Sequence, residues 1–301
     1  MKLSIAPMLE LTDRHFRYFA RLLTKQTLLY TEMVTTGAIL HNKPEKFLKY
    51  NEEEHPVALQ LAGSSPKDLA ECAKIGEDFG YDEINLNCGC PSERVQSGSF
   101  GACLMREANL VAECAATIQN AVKIPVSIKT RIGIDNDDSW EFFLSFVENI
   151  AKTGCKYFII HARKAWLKGL SPKENRTVPP LNYETVFKLK QIHPDFKISL
   201  NGGVKNLEDA KNILRKTDGV MIGRAACKTP WILANADSEI FGTELEVKNC
   251  SGILEKYLPY AESEIKKGTP LNFLTKPLMG LFHGVPGARK YRTILSSFTR
   301  G

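Results

Sequence analysis

Short apolar runs rich in β-branched and aromatic residues recur along the chain. They read LSIAPM (3–8), TLLYTEMV (27–34), PVALQLA (56–62), DEINLN (82–87), PVSIKT (125–130), CKYFIIH (155–161), FKISLN (196–201) and DGVMIG (218–223). Each has strand length, and the stretches between them carry a helical period. In SPKDLAECAKIGEDFG (65–80), Ser65 or Ser64 can cap, Pro66 suits the first turn, and Leu69, Cys72 and Ala73, with Ile75 or Gly76, fall on one stripe. NLEDAKNILRKT (206–217) repeats the device with Asn206 as cap. Eight strands alternating with helices predict an α/β fold, a parallel (β/α)8 TIM barrel. A doubly wound open sheet competes, but it usually needs fewer strands, and no GxGxxG follows the first run.

The pattern changes near residue 235. After FGTELEV the strand text stops, and SGILEKYLPYAESEIKKG and NFLTKPLMGLFHGVPGARKYRTILSSF read as helices. The expected division is a catalytic barrel over 1–236 and a small all-helical domain over 237–301. Residues 253–301 hold eight Lys and Arg against three Glu and no Asp. Taken alone, that excess fits a solvated helix face as well as a polyanion-binding one.

Composition adds few constraints. The 301 residues are 43% hydrophobic and 25% charged, with a net charge of +6. That suits a globular enzyme and is compatible with a polyanionic partner. No run approaches the roughly 18 apolar residues that span a bilayer. MKLSIAPMLELTDRH lacks the apolar stretch of a secretory leader, so no membrane and a cytoplasmic location are expected. The eight cysteines are scattered and form no CxxC pair, which argues against a disulfide scaffold and a structural zinc site; no metal is expected.

In a barrel of this kind the chemistry lies at the C-terminal ends of the strands. Two segments there suit a phosphate: NGGV (201–204) after the seventh strand and GRAA (223–226) after the eighth. Glycines let backbone N–H groups approach an anion, and Arg224 supplies charge. Either pair alone is weak, because glycine also ends many helices. Gln60, Lys129 and His161 would point into the same mouth. Such donors suit the carbonyl and nitrogen edges of a flavin, and a cation near its pyrimidine edge stabilises the anionic reduced ring. Pro7 and Met8 could pack beneath it. NLNCGCPSERVQ (85–96) leaves open a metal pair, a structural turn and a reactive thiol.

Longer stretches carry a resemblance. APMLELTDRHFRYF, LLYTEMVTTGAI, NLNCGCPSERVQSGSFGACLM, SIKTRIGID, IIHARKAWLKGLSPKENR, LNGGV and IGRAA closely resemble the tRNA-dihydrouridine synthases over nearly the whole chain. TEMVTTGAI and HARKAWLKGLSPKENR resemble the A subfamily, which acts on uridines 20 and 20a of the tRNA D-loop. The resemblance implies an FMN-containing barrel with a C-terminal helical domain that reduces the uridine C5–C6 double bond, with NADPH as reductant. It implies that hydride passes from the flavin to C6 while Cys90 protonates C5. Cofactor binding carries over to Ala6, Pro7, Met8, Gln60, Lys129, His161, Asn201, Gly202, Gly203, Gly223 and Arg224. Contacts to tRNA carry over to Asn87, Lys173, Arg176, Arg289 and Arg292, with Arg131 and Arg163 as further candidates for uracil or phosphate contact. Cys88 departs from the family's aliphatic preference and is expected to fill space. The resemblance also turns the basic tail toward tRNA, and no obligatory protein partner is evident.

Two alternatives stay open. An FMN barrel oxidoreductase acting on a small pyrimidine would share the phosphate site but need no basic appendage. A non-catalytic tRNA-binding module would carry no flavin.

Overall fold

The computed structural model describes residues 2–243 and 249–297. Part of FGTELEV, and Arg300 and Gly301 at the C-terminus, lie outside them. Eight parallel strands close into a barrel in sequence order: β1 (Leu3–Ile5), β2 (Leu28–Thr35), β3 (Val57–Ala62), β4 (Glu83–Cys88), β5 (Val126–Arg131), β6 (Tyr157–His161), β7 (Lys197–Asn201) and β8 (Gly219–Ile222). The last strand pairs with the first, Ser4 opposite Met221. The expected barrel is therefore the observed one. The expected caps are present too: Ser65 accepts from the Asp68 N–H ahead of helix Pro66–Asp78, and Asn206 from the Asp209 N–H ahead of helix Leu207–Leu214.

Why these runs form a barrel follows from their alternation. Successive side chains of a strand point to opposite faces. Ile84, Leu86, Cys88, Ile128, Phe158, Ile160, Ile198, Leu200, Val220 and Ile222 join the large core between sheet and helices. The alternate positions turn inward. A small apolar cluster of Ala6, Met8, Leu28, Tyr30, Ala58, Tyr157, Ile159 and Met221 fills part of the barrel. The rest of the inward set is polar: Gln60, Glu83, Asn85, Asn87, Ser127, Ser199 and Asn201 are all buried.

A buried polar group must find a partner or cost several kcal/mol. Here the partners form a chain. Asn87 Nδ2 donates to Gln60 Oε1 (2.8 Å), and Gln60 Nε2 donates to Asn85 Oδ1 (2.7 Å). Asn85 Nδ2 donates to Ser127 Oγ (2.8 Å), whose hydroxyl donates to Glu83 Oε1 (2.5 Å). Tyr30 also donates to Glu83, whose carboxyl burial pushes up from its ordinary range.

The C-terminal region is helical, as expected. Helix Cys250–Lys266 packs on the first helix, Arg14–Leu23. The Tyr18 and Tyr260 rings stack at 3.8 Å, His15 Nδ1 lies 2.7 Å from the Tyr260 hydroxyl, and Arg14 pairs with the buried Glu264. Asp237 accepts from Thr24 Oγ1 and the Lys25 and Gln26 N–H groups, tying the segment that leaves the barrel to the turn before β2. Among the described residues no helix is long and apolar enough to cross a membrane.

Candidate active site

Strand register sets the floor of the mouth. Gln60 lies opposite Asn85, Asn87 opposite Lys129, Arg131 opposite His161, and His161 opposite Asn201. Inward positions at the ends of β3 to β7 therefore meet around one opening. Lys129 Nζ donates to Asn201 Oδ1 (3.2 Å), and Asn201 Nδ2 donates to the Met221 carbonyl (2.8 Å), which joins β5, β7 and β8.

The mouth is strongly cationic. Burial, then the charge of Arg131, pulls Lys129 down from 10.5 to about 7. His161 is held well below its usual value by burial and by Arg131, Lys129, Arg163 and Arg224. Arg131 is lowered to about 10, mainly by burial, with Arg176 and Arg163 adding to the effect and the Cys90 thiol opposing it. The charges that lower Lys129 and His161 most are those of neighbouring cations. Buried cations without counter-charges are costly, so the arrangement is built for an anion. Two donors make the same point: Arg163 Nε and Arg176 Nε are buried without a hydrogen-bond partner.

The glycines divide into two kinds. Gly202 (φ +112°) and Gly203 (φ +75°) adopt backbone that side chains rarely take; a Cβ on Gly202 would lie 2.6 Å from His161 Cδ2, and one on Gly203 would lie 2.5 Å from Leu181 Cδ1. They are needed for packing of the β7 turn. Gly223 has no atom within 4 Å of such a Cβ, so its space is open. Arg224 begins the short helix that follows and donates to the Arg176 carbonyl (3.1 Å). An anionic flavin fits these features: open space at Gly223, unpartnered buried guanidinium N–H groups, and a line of donors along β3, β5, β6 and β7.

The β1 end forms one wall. The Ala6 N–H donates to the Ile222 carbonyl (2.8 Å), and Pro7 is half-buried. Met8 is 7% exposed and packs on the inner apolar cluster, its N–H donating to Thr12 Oγ1 (2.9 Å). Glu10 sits in left-handed backbone (φ +62°), and its N–H donates to Glu32 Oε1 (2.5 Å). Glu32 thus holds this turn, a role its position within β2 did not announce. Beside it a cleft of about 870 Å³ opens, lined by Glu32, Lys46, Lys49, Arg94 and Phe100, and by Phe273 from the helical domain.

The cysteines of NLNCGCP are unequal. Cys88 is the last outward residue of β4, fully buried, its thiol pushed well above the usual range by burial. Cys90 lies past the strand end, half-buried, where a thiolate would interact with Lys129, Arg131 and Arg176. Its turn is clamped: Asn87 Oδ1 accepts from the N–H groups of Gly89 (3.1 Å) and Cys90 (3.0 Å), and the Ala102 N–H donates to the Cys90 carbonyl (2.9 Å).

The residues expected to meet RNA fall into three groups. Asn87 and Arg131 are buried and engaged with the protein itself. Arg131 Nε donates to the Gly89 carbonyl (2.8 Å), and its Nη1 donates to the carbonyls of Lys164 (3.0 Å) and Asn175 (3.1 Å). Arg163 and Arg176 are half-buried at the rim, Arg163 Nη1 reaching the Thr177 and Pro179 carbonyls. Lys173 is exposed in the β6 loop, and Arg289 (exposed) and Arg292 (half-buried) lie on helix Ala288–Ser297, away from the barrel strands in sequence. Residues without any strand-end signal also shape the site. Asn175 is fully buried, and Gln96 reaches across two loops.

Comparison with known proteins bears on what this mouth does. A family model described as dihydrouridine synthase matches residues 4–300. A Vibrio parahaemolyticus protein named tRNA-dihydrouridine(20/20a) synthase is 58% identical over 296 residues, covering 98% of this chain and 90% of that protein. Proteins of the same name from Shewanella oneidensis (55% over 293 residues; 97% and 87% covered) and Escherichia coli K12 (56% over 296 residues; 98% and 86% covered) are similar over comparable spans.

Proposed function

The chain belongs to the dihydrouridine synthase family, an enzyme family, and from that premise we propose that it reduces the C5–C6 double bond of uridine in the tRNA D-loop, at positions 20 and 20a, giving 5,6-dihydrouridine. The observation that carries this reading is the juxtaposition of a mouth lined by Lys129, Arg131, Arg163 and Arg176, with two buried guanidinium N–H groups unpartnered, and the clamped turn of Cys90.

FMN is the group this mouth would hold. Lys129, His161, Gln60 and Asn201 would meet its ring edges, the Asn201–Gly203 and Gly223–Arg224 turns its phosphate, and Ala6, Pro7 and Met8 its underside. Bound there and reduced by NADPH, FMN supplies the hydride that C6 of uracil accepts. The protein's own part is the proton. As hydride arrives at C6, negative charge develops on the uracil toward O4 and C5. Cys90 Sγ–H gives its proton to C5, and solvent then restores the thiol. A thiol can act as a general acid toward a developing carbanion. Lys129 and the guanidinium groups of Arg131 and Arg176 stabilise the thiolate left behind.

A target base must leave its stack to reach the mouth, at a cost of a few kcal/mol. Phosphate contacts from Lys173, Arg176, Arg289 and Arg292 offset it. In the test, the purified protein should be yellow with bound FMN, and Cys90→Ala should keep the flavin while dihydrouridine formation collapses. Full-rate turnover by that variant would remove Cys90 as the acid. A small-pyrimidine oxidoreductase would instead turn over free uracil derivatives and show no tRNA affinity.

A further inference from the structure

The carbonyls on either side of Cys90 are each held by a side chain that also holds the basic β6 loop. Before it, the Gly89 carbonyl accepts from Arg131 Nε, while Arg131 Nη1 grips the Lys164 and Asn175 carbonyls. After it, the Pro91 carbonyl accepts from Gln96 Nε2 (2.9 Å), which also donates to the Leu167 carbonyl (2.7 Å). Two bridges therefore flank the thiol and end in the same loop.

That loop is itself braced. Asn175, fully buried, exchanges hydrogen bonds with the main chain of Trp166 and donates to the Leu170 carbonyl. The Leu167 N–H donates to Asp135 Oδ1, and the Asp135 N–H to the Ala165 carbonyl. Lys168 and Lys173 project from it, exposed. The loop and the Cys90 turn thus share one hydrogen-bonded network.

We propose that Gln96 and Arg131 are positioning residues that couple the basic loop 163–176 to the acid, so that RNA seated on the loop fixes where Cys90 Sγ stands relative to the reacting base. The proposal rests on Cys90 being the proton donor. Gln96 acts only through Pro91, whereas Arg131 acts through Gly89 in addition to its charge beside the thiol.

Gln96 gives the cleaner test, since Arg131 also contributes charge to the mouth. Holoenzyme of Gln96→Ala is reduced anaerobically and mixed with saturating tRNA purified from a strain lacking this enzyme, and flavin reoxidation is followed in a single turnover. The expected result is transfer slowed about tenfold or more, the scale set by small misplacements of a reacting group, with the dissociation constant for tRNA and the rate of flavin reduction by NADPH unchanged. Gln96→Glu keeps the volume, and its carboxyl can donate to a carbonyl only when protonated. Its transfer rate relative to wild type should rise as pH falls, a signature that a merely structural role would not give, and it is read in place of the alanine variant if that variant does not fold. Wild-type transfer rates at saturating tRNA, or a defect confined to the dissociation constant for tRNA, overturn the proposal. Cys90→Ala run alongside separates the two failures: if it transfers at full rate the acid itself is misassigned, whereas a slow Cys90→Ala beside a normal Gln96→Ala sinks the coupling alone.

Discussion

Lys129 illustrates how much a single residue's surroundings decide. Its pKa falls from 10.5 to about 7 because burial and Arg131 oppose its charge. A base with a depressed folded pKa contributes stability that is complete above pH 10.5 and is lost as pH falls toward 7. The flavin-free protein should therefore melt lower as pH falls through that window, and Lys129→Met should flatten the trend. An anion in the mouth reverses the preference, so FMN binding at about pH 8.5 should take up to about one proton. Calorimetry in two buffers of different ionisation enthalpy measures that uptake, and none should remain in Lys129→Met. The glycines give a second contrast. Gly202→Ala should cost about 1–3 kcal/mol from left-handed backbone alone, and it also displaces His161. Gly223→Ala should weaken FMN binding more than it lowers the melting temperature; melts with and without FMN distinguish the two. That Gln60, Lys129 and His161 stand near the C-terminal ends of their strands was legible from the placement of the apolar runs. That Asn87 and Arg131 spend their hydrogen-bonding groups on the protein was not. Arg131 reaches carbonyls 33, 42 and 44 positions away, and separations of that kind leave no period in a sequence.

At the scale of elements, seven strands fall within two residues of the apolar runs and the first stops three residues short of its run, because the outward face of each buried strand keeps its apolar residues even where the inward face is polar. Helix starts at Ser65 and Asn206 were legible for a different reason, the capping oxygen three residues ahead of a free N–H. The seat of the C-terminal helices was not legible, since it depends on rings and charges from both ends of the chain. Burial pushes the Glu264 carboxyl up, but hydrogen bonds from Arg14 and Lys267 outweigh it and hold the group at about 2. Its folded pKa is depressed, so its stabilisation is present above pH 4.5 and is lost as pH falls toward 2. Acidification through that range should loosen helix Cys250–Lys266 from the first helix, seen as loss of the near-ultraviolet circular dichroism of the stacked Tyr18 and Tyr260 rings. Glu264→Gln should cost about 3 kcal/mol, because it leaves Arg14 without its charge partner.

Over the whole molecule, the cationic mouth and the basic tail lie on separate parts of the chain, and a polyanion large enough to span them is the simplest common ligand. Replacing Arg289 and Arg292 together by Ala should weaken tRNA binding and reduce the slope of log K against log salt by about 1.8 at most. Flavin content should stay the same, which filter binding and absorbance check separately. Composition alone left that tail ambiguous, because eight cations on helices read equally well as solvent-facing charge. The polar chain inside the barrel carries one more consequence. Asn87, Gln60, Asn85 and Ser127 each donate to the next, and the last bond ends on the carboxylate of Glu83. Amide side chains can flip end for end, but a sequence of donors ending on a carboxyl oxygen that accepts from both Ser127 and Tyr30 has one direction only. Glu83, on the opposite end of β4 from the mouth, thus works like the fixed pole of a compass: it sets the heading of every amide above it, and so leaves the Asn87 oxygen, rather than its nitrogen, facing the turn that bears Cys90.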